Sequence, residues 1–370
     1  MIYLTYNDPP SGIYQSQVID VVNYMDHLSS RKVKLVALIS LRKFSVNKQK
    51  ITRRCRRALV LPMFPKARYW RLNLATLALV LLFRNDRTIM ARGPFATNLA
   101  LRLKQLGLCK KVIFDARGAY EAELNEYEVV NDVRMKQQIG ELERRALEQS
   151  DFRLAVSAAL VNHWRKTYAY DKARHVVIPC TLSADFGSFF PTKDQLTDMR
   201  QAMGYSASDV IYIYSGSSAG WQSFALVDEL MCKLLGDSRA RLIVLSDHFD
   251  ASFGVMTRFK DQVRVQFVEP SQVKDYLFIS DYGILYREQS ITNKVASPVK
   301  FAEYLHAGLK VIISDNLGDY SDFSIFENLR FDPLSPEPLP YDEKQRIHQL
   351  SLSCYTKEHF KNQYTELLNI

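Results

Sequence analysis

Ser297-Pro298-Val299-Lys300-Phe301-Ala302-Glu303-Tyr304-Leu305-His306-Ala307-Gly308-Leu309-Lys310-Val311-Ile312 is the most informative run in the chain. Ser297 is an N-cap residue type, Pro298 suits a first helical position and Gly308 can close the helix, so the spacing predicts a short, bounded helix and then a strand. Lys300 falls in the first turn, where a cation opposes the helix dipole, and Glu303 follows on the same face, the less favourable order for such a pair. A helix built only for stability would reverse them. An anion at the helix N-terminus resolves the conflict, because exposed N–H groups and the Lys300 ammonium would neutralise a phosphate together. Glu303, one turn deeper, could then accept from the two ribose hydroxyls of the same nucleotide. An ordinary surface Lys and Glu on an amphipathic helix satisfies the same spacing.

Outward from this run, short apolar stretches alternate with longer amphipathic ones, the pattern of βα units on a parallel sheet. Strands are expected at Ile2–Tyr6, Val33–Ile39, Ala58–Leu61, Thr88–Ala91, Lys111–Phe114, Phe152–Val156 and Val176–Ile178, and helices at Ile13–Met25, Phe95–Gln105, Val133–Gln149 and Ala158–Tyr168. Pro179-Cys180-Thr181-Leu182 and the aperiodic Phe186–Lys193 read as an interdomain linker. A second alternation follows: strands Val210–Tyr214, Arg241–Leu245, Val263–Phe267, Tyr282–Tyr286 and Lys310–Ile313, with helices from Trp221, over Ser271–Ile279 and over Pro298–His306. Glu343–Leu368 reads as one helix, long enough to cross back to the first domain. Two tandem open α/β sheets would each place a binding crevice at the carboxyl ends of their strands, with the ligand in a cleft between them.

Composition agrees with a two-domain chain that folds throughout: 370 residues, 47% hydrophobic and 24% charged. The five cysteines lie far apart in sequence, which argues against a disulfide framework or zinc knuckle and fits a reducing compartment. No cleavable leader is visible, and Leu72–Phe83, the longest apolar stretch, is too short to span a bilayer, so a soluble or peripheral protein is expected. The net charge of +9 is concentrated, with fourteen Lys or Arg and no acid from Arg31 to Arg71. Such a field attracts anionic surfaces, and Arg53, Arg54, Arg56 and Arg57 are its candidate membrane- or acceptor-docking residues. A solvated basic face is the plainer reading, as a buried first-domain helix is for Leu72–Phe83.

The run from Ser297 closely resembles the donor-binding helix of family 4 retaining glycosyltransferases, in which the lysine approaches the diphosphate and the glutamate holds the ribose. Other segments resemble the family in the proper order: Ile13–Val18 after a Gly-containing loop, Ala155-Val156-Ser157, Val177-Ile178-Pro179, and Tyr214-Ser215-Gly216. The resemblance implies a GT-B fold, two Rossmann-like doubly wound domains facing across a central cleft. It implies an acceptor-side domain at 1–182, a nucleotide-sugar-binding domain at 183–350, and a returning helix at 351–370. Gly12, Gly216, Ser217, Arg287, Ser297, Lys300 and Glu303 become the donor-binding set, with Arg287 as a second phosphate cation. Asp115, Arg117 and Glu121, at a strand's carboxyl end, become candidates for orienting an acceptor hydroxyl or touching phosphate; a loop salt bridge explains them equally well.

Two departures stand out. The first of the family's usual glutamate pair falls at Val295, and the Arg and Lys expected after the second domain's first strand are replaced by Ser217-Ser218-Ala219-Gly220. The resemblance implies retention of anomeric configuration, a lipid-linked or oligosaccharide acceptor in surface-polysaccharide synthesis, and a cytoplasmic protein peripheral on the inner face of the plasma membrane. No cofactor is expected, and the absence of an Asp-x-Asp pair favours metal-independent chemistry. The chain lacks the Gly-x-Gly-x-x-Gly turn of a dehydrogenase, a P-loop and a Gly-x-Ser-x-Gly elbow. A nucleotide-sugar epimerase or hydrolase of the same fold, and a basic nucleic-acid-binding protein, are the alternatives.

Overall fold

The computed structural model describes residues 1–30, 32–65, 67–82, 88–127, 133–216, 223–246, 252–315, 317–320 and 336–370. They form two compact units, the first comprising Met1–Ser183, Lys294–Ser297 and Lys357–Ile370, the second Ala184–Asn293 and Pro298–Thr356.

The first unit carries strands β1 (Ile2–Tyr6), β2 (Lys34–Ile39), β3 (Ala58–Pro62), β4 (Thr88–Arg92), β5 (Lys111–Ala116), β6 (Phe152–Ala155) and β7 (His175–Val177), all parallel, in the order β3-β2-β1-β4-β5-β6-β7. The side-chain period of two divides each strand between two cores. Leu35, Ala37 and Ile39 of β2 join Val18, Val22 and Ile51 on one face. Val36 and Leu38 join Leu77, Leu81 and Leu99 on the other. The Phe44–Arg54 and Asn73–Leu82 helices, which contribute Ile51 and Leu77, therefore cover opposite faces of this sheet.

The second unit has strands β8 (Val210–Ser215), β9 (Ala240–Leu245), β10 (Val263–Gln266), β11 (Tyr282–Leu285) and β12 (Lys310–Ile313), again parallel, in the order β10-β9-β8-β11-β12. Both units are doubly wound, with the strand order reversing between β1 and β4 and between β8 and β11. Ligands bind such sheets outside the carboxyl ends of the strands at those reversals.

Two local expectations are corrected. The first helix is not regular: after an α-turn at Gly12–Tyr14, capped by the Ser11 hydroxyl accepting from Tyr14 N, it widens to a π segment at Gln15–Ile19 before continuing as Asp20–Leu28. The single helix expected over Glu343–Leu368 is two, Tyr341–Cys354 and Lys361–Leu368. Ser353 and Thr356 hydroxyls bond back to Leu350 and Leu352 carbonyls near the break, as such side chains do when they compete with helical bonding. Tyr355 is buried against Phe301 of the second unit, whereas Tyr364 enters the first unit's core, so the two helices serve different cores. The stretch expected to be aperiodic is so, and a helix not named from the sequence, Lys193–Ala202, follows it, started by a capping box between Thr192 and Gln195. Among the described residues no helix is long and apolar enough to cross a membrane.

Candidate functional site

The Lys300 helix runs Val299–His306 and joins β11 to β12. Its N-cap is Pro298, with no side-chain cap, so the expectation that Ser297 caps it is corrected. Ser297 belongs to the first unit, where its hydroxyl accepts from Cys180 N at 2.9 Å. Its neighbour Val295 packs in the core beside Phe114 and Trp164, and the Val295 carbonyl accepts from Ser157 Oγ at 2.7 Å. With no side chain spent on the cap, the orphan N–H groups of the first turn stay available to an anion.

Helix packing sets the site. Tyr304 lies so close over Gly283 of β11 that a side-chain carbon there would meet its ring. The Tyr304 hydroxyl accepts from Ser215 N at 3.1 Å and donates to the Ile284 carbonyl at 3.3 Å, tying the helix to the ends of β8 and β11. Glu303 is thereby fixed beside the strand reversal. Lys300, one turn back, extends over Gly216, the residue just after β8, with its ammonium 5.4 Å from the Tyr214 ring centroid. A Cβ at Gly216 would collide with Lys300 Nζ, so this position requires glycine for close approach rather than for backbone freedom. Arg287 follows β11, only 8% exposed, with its backbone N–H donating to Ser314 Oγ and its guanidinium donating to Asn293 Oδ1 at 3.3 Å.

The structure thus brings Gly216, Arg287, Lys300 and Glu303 together at the second unit's strand reversal. Ser217 lies outside the described residues. The Lys300 ammonium is buried and makes no hydrogen bond among the described residues. Burial, with the Arg287 cation adding to it, pushes its pKa down to about 7 against the pull of Glu303. Burial likewise pushes the Glu303 carboxyl up to about 7, opposed by Lys300. Both side chains keep part of their surface open to solvent. A covered cation without a partner is expensive, and an entering anion removes the expense.

At the first unit's reversal the charges are already matched. Asp115, at the end of β5, is fully buried; it accepts a short hydrogen bond from Tyr3 and pairs with Arg117 Nε at 2.7 Å. Arg117 also reaches the Gln17 carbonyl of the π segment at 3.5 Å. Neighbouring Arg92, the last residue of β4, pairs with Asp8 at 3.0 Å. Sequence reasoning missed Tyr3, which lies within β1, and also Asp8 and Arg92, although Asp8 stands in the loop after β1 and Arg92 ends β4. Glu121 does not join this network: its carboxylate accepts from Tyr168 and packs on Gly140, while its backbone N–H donates to buried Glu143. Gly12 opens the first helix and has open space where a side chain would begin.

Arg53, Arg54, Arg56 and Arg57 are all exposed, and Arg57 pairs with Asp26 at 3.0 Å. They close the Phe44–Arg54 helix and the turn after it, on the sheet face opposite the Asn73–Leu82 helix. The basic run and the apolar run expected to act together are therefore mostly on different faces.

No family model matches the chain, and no curated protein matches it in sequence. Solved structures do match. Sucrose-phosphate synthase from Thermosynechococcus elongatus is similar at 12% identity and TM-score 0.65, over 100% of this chain and 98% of that one. HepE of Anabaena, solved with UDP and glucose, is similar at 12% identity and TM-score 0.65, over 100% and 99%. WaaG, a glycosyltransferase involved in lipopolysaccharide biosynthesis, is similar at 12% identity and TM-score 0.63, over 100% and 94%. At this identity the likeness establishes the fold: two parallel-sheet α/β units of the GT-B class.

Proposed function

We propose that the protein is a glycosyltransferase that takes a sugar from a nucleoside diphosphate donor held on the second unit, and passes it to a lipid-linked or oligosaccharide acceptor with retention of anomeric configuration. The observation that carries this reading is the buried Lys300 ammonium over Gly216 at the strand reversal, which has no hydrogen-bond partner among the described residues. The GT-B fold, and the UDP and glucose bound by HepE, support a nucleotide-sugar donor. Retention, family 4 membership and a part in surface-glycan synthesis rest on the resemblance of the Lys300 helix.

In this reading Lys300, Arg287 and the first-turn N–H groups neutralise charge that develops on the diphosphate as the glycosidic bond breaks, and Glu303 accepts from the ribose hydroxyls. Because fixed cations meet the diphosphate, no metal is needed, and activity should survive excess EDTA. Asp115 is unexposed, with Oδ2 accepting from Tyr3 and Arg117 and Oδ1 in ion-pair contact with Arg117 Nε, so it acts by holding Arg117 rather than by touching the acceptor. The protein works in the cytoplasm, peripheral to the membrane that presents the acceptor.

The test is a thermal-shift and turnover screen across nucleoside diphosphates and their sugars. A nucleotide that stabilises wild type but not Lys300→Ala or Glu303→Ala supports the site. Sugar transfer with an inverted product anomer would exclude retention, and nucleotide-sugar turnover without any acceptor would favour the epimerase or hydrolase.

A further inference from the structure

The Asn73–Leu82 helix contains no charged residue. Asn73, Leu77 and Leu81 are buried, yet on the opposite side Leu72, just before the helix, Leu79 and Leu82 are 53%, 59% and 63% exposed, with exposed Ala75 between them. Positions 72, 75, 79 and 82 recur at helical spacing and make one stripe. A helix apolar on its outer face as well as its inner one has surface that water does not favour, and such patches mark contact sites.

Beside this stripe is a cluster of cations. Arg71 immediately precedes Leu72, and its guanidinium carbon is 5.4 Å from the Trp70 ring centroid; that of Arg102 is 5.8 Å from the same centroid. Burial, Arg71 and Arg145 all act to lower the Arg102 pKa, and Arg102 Nε is covered without a partner. Among the described residues no carboxylate pairs with Arg71, Arg102 or Arg145. Three arginines gathered with no paired carboxylate among the described residues make a local positive field that attracts anions.

We propose that this face of the first unit docks on an anionic phospholipid bilayer, the leucine stripe lying in the interface and the arginine cluster holding headgroup phosphates. It deepens the reading above, on which the acceptor is presented at a membrane, by naming the surface that meets the lipid. An apolar stripe flanked by arginines matches a bilayer's own layering of hydrocarbon below phosphate. A second copy packing its own leucine stripe here would bring no phosphate to the arginines, and a nucleic acid would leave the leucines unused.

The test is co-sedimentation of the full chain with vesicles of phosphatidylcholine alone or mixed with phosphatidylglycerol, across a salt series. Wild type should bind the anionic vesicles and weaken with salt. Leu79→Gln with Leu82→Gln should lose at least tenfold in partitioning, and Arg71→Gln with Arg145→Gln should lose binding on the anionic vesicles. Arg53→Gln with Arg54→Gln, on the other sheet face, should bind as wild type. Absence of binding at low salt, wild-type binding by the leucine variant, or loss confined to the Arg53 and Arg54 variant would overturn the proposal. So would a dimer in sedimentation velocity that the leucine changes dissociate. The nucleotide-induced thermal shift of the same variants reports the Lys300 site separately, so failure of docking and failure of donor binding are distinguishable.

Discussion

The two strand reversals hold similar chemistry in opposite states of charge pairing. Between β1 and β4 and at the end of neighbouring β5, Asp115 meets Arg117 and Tyr3, and Asp8 meets Arg92. Between β8 and β11, Lys300 and Arg287 lie close enough for one cation to lower the other's pKa, and the Lys300 ammonium has no hydrogen-bond partner among the described residues. A matched buried pair contributes position; an unmatched buried charge costs stability and is retained where something else completes it. The comparison assigns the first reversal to architecture and the second to ligand binding.

The strongest way to break that contrast is to unpair the first reversal. Asp115→Asn leaves Arg117 charged and buried without its carboxylate, and should destabilise the first unit by about 3–5 kcal/mol. Chemical denaturation reads this directly. A variant as stable as wild type would show that the pair is not structural and would return Asp115 to the candidates for direct catalysis.

The same operation at the second reversal should have the reverse sign. Lys300→Met removes a charge that the empty protein holds at a cost, so the ligand-free melting temperature should stay level or rise. The nucleotide-induced shift should disappear and transfer should fall at least tenfold, since a charge-assisted contact is worth about 1.5–3 kcal/mol. A lower melting temperature with intact nucleotide response would place Lys300 among structural lysines. Gly216→Ala sharpens the point with a smaller effect. Its new carbon displaces the flexible end of Lys300 and also presses on the buried Tyr214 hydroxyl at 3.0 Å, so donor affinity should fall severalfold with a smaller loss of stability, read by nucleotide titration and melting in parallel.

This difference explains what could be read from sequence and what could not. All twelve strands of the two sheets lie where apolar periodicity places them, because a strand buried on both faces writes itself as a continuous apolar run. Lys300, Glu303 and Gly216 were legible because an unfavourable local order and a strand-end glycine are visible in a few residues. The matched reversal was legible only in part, as one of two readings of Asp115 and Arg117. Tyr3 and Asp115 are 112 positions apart, and nothing local in either marks the other. Lys294–Ser297 joining the first unit, and Arg102 meeting Arg71 over Trp70, are likewise contacts of the folded chain. The π segment was missed because its widening leaves no mark on residue type.

The smallest expected effect is the pH dependence of donor binding. Lys300 must be charged to hold a diphosphate, and its pKa is lowered to about 7 by burial and Arg287. Glu303 must be ionised to accept from ribose hydroxyls, and burial raises its pKa to about 7. Affinity should therefore peak near neutrality, falling at higher pH as Lys300 deprotonates and at lower pH as Glu303 protonates. In the empty protein the unfolded chain binds more protons at Lys300 between about pH 7 and its ordinary pKa of 10.5, so this group makes stability rise with pH across that window. Glu303 does the opposite between 4.5 and about 7, where the folded state holds the extra proton and stability falls as pH rises. Nucleotide titrations from pH 5.5 to pH 9 test the pair: Lys300→Arg should flatten the alkaline limb and Glu303→Gln the acid limb. If both limbs persist in both variants, the titrating groups lie elsewhere, and the unmatched charge at the second reversal is not what governs donor affinity.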